Sequence, residues 1–201
     1  MGYSTIIDII GSIIVGGLLM LILFRTNSSA VENTYNYGND LNAQQSLEII
    51  SRVIDYDFAK IGYCNYNGQF PDYTKAIKYA DSTQFEFYAD MNNDKSLDSV
   101  YYNLGSTSQL SKTSNPNDRI LYRTVYLTTG PEVTPFTGIT VFKLSYYDTT
   151  GNLMSFPITH PENISRIVIY LKTESAAPID GAYASAFLES TKYVAYNINQ
   201  R

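Results

Sequence analysis

The segment from Asp90 to Asp98 carries oxygen-bearing side chains at alternate positions. Its first, third, fifth and ninth positions are Asp90, Asn92, Asp94 and Asp98. This spacing resembles a calcium loop, in which several oxygens converge on one hard cation. Lys95 stands where such loops have glycine, and Tyr101 where they have a bidentate glutamate. Two interpretations stay open: a solvated turn between strands, or a Ca²⁺ site that staples the loop and catalyses nothing. We expect no required cofactor.

A second set of chemically notable residues lies near the N-terminus, in a stretch that is otherwise apolar. Between Thr5 and Phe24 the one charged residue is Asp8. A carboxylate in such a segment is costly in lipid and suggests a partner for its charge. Glycines cost about 1 kcal/mol each of helix propensity in water, but they let neighbouring helices approach closely. The glycines of this stretch are Gly11, Gly16 and Gly17. We predict that Asp8 and these glycines act in assembly.

The residues for catalysis are few, and we expect no enzyme. The single histidine, His160, lies in a loop-like segment, and the sequence has no glycine-rich phosphate loop, zinc spacing or nucleophile elbow. The single cysteine, Cys64, cannot form an intrachain disulfide. We predict that it is a small buried side chain, and the alternatives are a reactive thiol or an intermolecular disulfide.

Charge and aromatic content bear on the partners. The net charge is −5 and Lys and Arg do not cluster, so we expect no nucleic-acid partner. The 19 tyrosines have three interpretations: the strand propensity of an extracellular domain, contacts between subunits, or binding of a glycan or another surface.

The apolar stretch itself is long enough to cross a bilayer, since roughly 20 helical residues span a hydrocarbon core of about 30 Å. Nothing basic precedes Thr5 and the run is long, which argues against a cleaved signal peptide. A membrane anchor and a helix that later packs among identical helices in a filament core both fit the pattern.

Behind this stretch the pattern predicts a second helical stretch and then a sheet. Apolar residues recur at helical spacing from Leu41 to Ile61, and Gly62 supplies a stop. The asparagine-rich segment 26–42 predicts a kink, a non-helical stretch or a break. The strand candidates are 84–89, 99–104, 119–128, 139–147, 166–172 and 184–196. We therefore predict an α+β fold, with a stem and helix at 1–61 and a β-rich head at 62–201.

The residues from Gly2 to Asp8, GYSTIID, resemble the start of type IV pilins and pseudopilins. In that family a glycine is followed by an aromatic residue, a short apolar stretch and an acid. The family acid is fifth after the glycine, whereas Asp8 is sixth. The resemblance points to Gly2 and Tyr3 as the processing residues. Segments 57–63, 139–152 and 166–196 are similar to PilW-like minor pilins and the J-type pseudopilin of type II secretion.

The resemblance implies a long helix packed on an antiparallel sheet, inserted in the inner membrane first and then drawn into a homo-oligomeric helical filament at the cell surface. We therefore expect a structural subunit of a type IV pilus-like filament. The alternatives are a minor pseudopilin at the tip of a secretion or pilus machine, and a membrane-anchored module that binds a glycan or a surface.

Overall fold

A computed structural model of the chain describes residues 2–64, 72–178 and 181–194. The chain begins with one α-helix, α1, at Gly2–Ala59. It forms two compact units, residues 1–39 and 40–201, and the division falls inside this helix. The second unit contains the end of α1 and the sheet.

The sheet has seven antiparallel strands within the described residues, and each strand pairs with the next along the chain. The strands are β1 Ile77–Ala80, β2 Gln84–Ala89, β3 Asp98–Leu104, β4 Arg119–Leu127, β5 Gly130–Tyr147, β6 Arg166–Glu174 and β7 Ser185–Tyr193. Short 3₁₀ turns occur at Tyr73–Lys75, Thr107–Leu110 and Pro161–Asn163. The helix and the antiparallel sheet confirm the predicted α+β class.

The core lies between the last turns of α1 and one face of the sheet. Helical spacing places Ile50, Ile54 and Phe58 on one side of the helix, and all three are at most 4% exposed. The ring of Phe58 packs against those of Phe85 and Tyr102, with centroids 5.1 and 5.8 Å away. These residues hold the second half of α1 on the sheet.

The non-helical stretch or break predicted in segment 26–42 is absent, because α1 is helical throughout this segment. The alternative of a kink stays a prediction. Because α1 is helical on both sides of the asparagine-rich stretch, the helix only has to propagate through it, and no new helix nucleus has to form. Two hydroxyls bond within the helix: Thr26 Oγ1 to the Ile22 carbonyl and Thr34 Oγ1 to the Ala30 carbonyl, both at 2.9 Å. Low propensity is therefore tolerated here.

The strands differ from the sequence prediction mainly at two places. The pattern did not predict β1, and it predicted β5 only from residue 139. Residues 130–138 pair with β4, whereas the pairing of β5 with β6 begins at Ile139. Pro131 and Pro135 have no main-chain N–H to donate. They are tolerated because this part of β5 pairs with β4 along one edge and not with β6 along the other. The last two residues predicted for the final strand, 195–196, lie outside the described residues.

Candidate functional site

The first 24 residues of α1 present apolar side chains on every side. From Ile6 to Phe24 each large apolar side chain is between 52% and 70% exposed. By length and composition this is the one helix in the described part of the chain that could cross a membrane. Nothing within the N-terminal unit covers this surface.

A narrow polar strip interrupts the apolar surface. Thr5, Asp8 and Ser12 line a shallow groove together with Ile9 and Ile13. Ser12 Oγ donates a hydrogen bond to the Asp8 carbonyl at 2.7 Å, which satisfies the hydroxyl within the helix. Among the described residues the Asp8 carboxylate makes no ion pair. The strip thus offers one carboxylate within the otherwise apolar stretch from Thr5 to Phe24.

The glycines predicted to act in assembly have open space beside them. A β-carbon built at Gly11, Gly16 or Gly17 meets no atom within 4 Å. Packing inside this chain therefore gives no reason for glycine at these positions. Gly2 begins the helix and the Tyr3 side chain is 87% exposed. Their role in processing stays a prediction.

The segment from Asp90 to Asp98 forms the connection between β2 and β3, as the sequence predicts. Its side chains fold it through local hydrogen bonds from main-chain amides: Lys95 N–H to Asp90 Oδ2 at 3.1 Å, Asp94 N–H to Asn92 Oδ1 at 3.1 Å, and Ser96 N–H to Asp94 Oδ1 at 2.7 Å. Lys95 has a φ of 72°, so it adopts the left-handed conformation at the position where calcium loops use glycine. The backbone therefore turns there despite the lysine side chain.

Asp98, like Asp90 at the other end of this loop, has no exposed surface. Its Oδ2 accepts the Met91 N–H at 2.9 Å, whereas its Oδ1 is buried without a hydrogen-bond partner. Burial raises the pKa of Asp98, and the nearby charges of Asp94 and Asp90 raise it further. Within the described ranges no three His, Cys, Asp or Glu side chains converge as a metal site by themselves. A cation here would also need amide and main-chain oxygens.

A buried charge network that the sequence did not predict joins α1 to the sheet. Asp57 is fully buried, and Arg123 donates to it from Nε at 2.5 Å and from Nη2 at 2.8 Å. Tyr102 donates its hydroxyl to the same carboxylate at 2.5 Å. Burial acts to lower the pKa of Arg123, but the bond to Asp57 outweighs it and the pKa is raised. Burial and the Asp57 charge raise the pKa of Tyr102 well above its usual value.

The signal for this network was present in the apolar spacing. Asp57 lies three residues after Ile54 and seven after Ile50, so it shares their helix face. An acid on the buried face of a helix requires a partner, because an isolated buried charge is costly. The partner came from β4, more than sixty residues away, which spacing within the helix cannot reveal.

Tyrosines gather on the face of the sheet opposite the helix. In the paired register Tyr88, Tyr101 and Tyr126 alternate with the core residues of β2, β3 and β4. The Tyr101 hydroxyl donates to Gln84 Oε1 at 2.9 Å, and Tyr126 is 47% exposed. This face combines aromatic rings with polar groups.

The remaining candidates take structural or surface positions. Cys64 is 5% exposed and belongs to the core, which confirms the prediction of a small buried side chain. His160 is exposed, with its Nδ1 2.9 Å from Glu162 Oε1.

No protein-family model, no curated protein and no solved structure has significant similarity to this chain. An N-terminal apolar helix followed by an antiparallel sheet is compatible with a pilin-like fold.

Proposed function

We propose that this chain is a structural subunit of an extracellular, type IV pilus-like filament. In this proposal the N-terminal helix is held in the membrane first and then packs among copies of itself, with the sheet-containing heads outside. The observation that carries the proposal is the surface of residues 2–24, which is apolar and exposed on every side. Such a surface requires a covering molecule, because uncovered apolar area is unfavourable in water.

The glycines favour packed helices over a simple anchor. Lipid tails fit around any apolar helix, so an anchor needs no glycine, whereas closely packed helices use small residues at their contacts. Gly11, Gly16 and Gly17 have no neighbour inside this chain. Contacts with other copies would give all three positions a reason.

Asp8 favours a fixed arrangement of those copies. A carboxylate among packed apolar helices needs a partner, such as the N-terminal amine of a neighbouring subunit. Helix offsets that left the charge unpaired would be disfavoured, so Asp8 would set the register while the apolar surface supplies cohesion. The resemblance of Gly2–Asp8 to the start of pilins supports the same arrangement.

Fibre fractionation tests the proposal. The tagged full chain is expressed in the cells that make the filament, surface fibres are sheared off, and the subunit is quantified in the fibre and membrane fractions. We expect the wild-type chain in the fibres. Gly16→Leu should still insert in the membrane but leave the fibre fraction, and Leu18→Ile is the matched control that keeps wild-type assembly. A wild-type chain that stays wholly in the membrane fraction would overturn the proposal. Abundance distinguishes a main subunit from a scarce tip subunit.

The tyrosine face supports a second candidate, a membrane-anchored module that binds a glycan or another surface. Tyrosine offers a flat apolar body with a polar tip, and amide and carboxylate groups of Gln84 and Glu86 lie on the same face. Binding of the detergent-solubilised monomer to immobilised glycans, lost on Tyr126→Ala, would favour this candidate. Equal binding by wild type and Tyr126→Ala would count against it.

A further inference from the structure

We propose that the loop between β2 and β3 binds one calcium ion, with the Asp98 carboxylate as its buried ligand. The inference starts from the unsatisfied oxygen. Asp98 has no exposed surface, and its Oδ1 has no hydrogen-bond partner. A buried carboxylate oxygen left without a partner costs free energy, which a bound cation would offset.

The position of the carboxylate directs it toward the loop. Its other oxygen, Oδ2, accepts the N–H of Met91, the second residue of the loop, so the side chain reaches across the base of the turn. Asp98 makes no ion pair among the described residues. Lys60 approaches from the end of α1, but its Nζ donates to the main-chain carbonyls of Met91 at 3.0 Å and Asp90 at 3.3 Å.

The donor set selects the kind of cation. Every side chain at the ligand positions supplies oxygen, and none supplies nitrogen or sulfur to a metal: these are Asp90, Asn92, Asp94 and Asp98. Oxygen donors suit hard cations, and Ca²⁺ accepts six to eight of them in flexible geometry, whereas Mg²⁺ requires a near-ideal octahedron. An exposed hairpin loop with few acids matches the weaker calcium sites, with a Kd on the order of 0.1–1 mM.

The loop backbone is compatible with this assignment. Lys95 already adopts the left-handed conformation that a calcium loop requires at its sixth position. Asp94 is exposed, and its oxygens now accept bonds from the Ser96 amide and the Asn92 side chain. These local bonds are exchanged for the cation when Asp94 turns inward. Main-chain carbonyls and water complete the coordination.

The test is calcium-dependent thermal stability of the full chain in detergent. Protein treated with EGTA and then freed of chelator is titrated with CaCl₂ at constant ionic strength, with MgCl₂ as the comparison, and unfolding is followed by tyrosine fluorescence. At ten times Kd the ratio of folded to unfolded chain should rise about elevenfold. For a chain of this size that corresponds to roughly 3–6 °C in Tm. Mg²⁺ should give a clearly smaller shift.

Three variants make the result specific. Asp98→Asn should lose the calcium shift and, without calcium, should unfold at a Tm no lower than wild type, because the uncompensated charge is gone. Asp94 lies on the surface, so Asp94→Asn should fold, and it should weaken the calcium-induced rise in Tm. Asp148→Asn is the matched control, since its Oδ1 also accepts main-chain amides in a hairpin turn; it should keep the full shift.

Three outcomes would overturn the proposal: no calcium shift in wild type, equal shifts with Ca²⁺ and Mg²⁺, or a full calcium shift in Asp94→Asn. If Asp98→Asn does not fold, Asp94→Asn and Asp148→Asn decide the question.

Discussion

Two aspartates of helix α1, Asp8 in its first half and Asp57 in its second, have opposite surroundings. Asp57 is fully buried and is bonded by Arg123 and Tyr102 of the same chain. Asp8 lies among exposed apolar side chains and makes no ion pair in the described part of the chain. The second half of the helix therefore finds its partners within the chain. The exposed apolar surface of the first half needs another molecule to cover it.

The apolar residues repeat this contrast. Ile50 is 2% exposed in the second half, and Ile14 is 57% exposed in the first. The same residue type in the same helix thus stabilises the fold at one position and is available for intermolecular packing at the other. Secondary structure alone does not separate the two roles, but the burial of the side chains does.

The largest effect on stability is expected at the buried acid. Asp57→Ala leaves the Arg123 guanidinium, whose side chain is 16% exposed, without its carboxylate partner, which should lower the free energy of unfolding by about 3–5 kcal/mol. Equilibrium denaturation of the full chain in detergent measures the loss. Asp55→Ala is the control, because Asp55 lies two residues away, about 200° round the helix, where it is half-exposed and bonded to Lys192. It should cost about 0–1 kcal/mol.

A combined variant sharpens this prediction. Replacing all three members of the network by apolar residues, as Asp57→Leu, Arg123→Met and Tyr102→Phe, removes the unpaired groups together. It should recover most of the stability lost in Asp57→Ala, since apolar replacements of buried ion pairs are often near neutral. A triple variant as unstable as the single one would mean that the network's geometry, and not its charge balance, holds α1 on the sheet.

The next largest effect on stability is expected when alanine replaces the isoleucine in the second half of α1 and is compared with the same change in the first half. Ile50→Ala should lower the free energy of unfolding by about 2–5 kcal/mol, because it opens a cavity in the core. Ile14→Ala should leave denaturation of the sheet-containing unit unchanged and reduce the amount of subunit in sheared fibres. Equal denaturation curves for both variants would show that the second half of α1 does not stabilise the sheet.

Sequence reasoning predicted the elements better than their partners. The apolar spacing of Ile50, Ile54 and Phe58 predicts which helix face is buried, because that information is local. The Asp57–Arg123 pair depends on a contact between distant segments of the chain. The early part of β5 depends on which strand edge is left unpaired. The break in segment 26–42 was predicted from propensity, which an already nucleated helix overrides.

A smaller effect on stability is expected at Glu174, whose carboxylate is partly buried. Burial acts to raise the pKa of Glu174, but bonds from Lys172 and Asn115 outweigh it and lower the pKa below 4.5. The folded state therefore holds this proton less tightly than the unfolded state. Its stabilising contribution is present above pH 4.5 and is lost as the pH falls through the lowered pKa. Glu174→Gln should cost roughly 1 kcal/mol at pH 7 and less at pH 3.

Denaturation at the two pH values tests this, with exposed Glu132→Gln as the control that should change stability by less than about 0.5 kcal/mol. Asp118 contributes in the opposite direction, because burial and the Glu174 charge raise its pKa. A cost for Glu174→Gln that grows toward acid pH would mean that Asp118, relieved of its neighbour's charge, dominates the local titration.

The smallest effect on stability, and the most informative about assembly, is expected at Asp8. Asp8→Asn and Asp8→Ala should leave the denaturation of the sheet-containing unit within about 0.5 kcal/mol of wild type, because Asp8 is exposed. Both variants should reduce fibre yield, since neither can pair with a cation on a neighbouring copy. Asp8→Glu keeps the charge with a longer reach and should assemble better than either. Normal fibres from Asp8→Ala would show that helix packing alone sets the register, and that only Asp57, and not Asp8, is an aspartate that requires a charged partner.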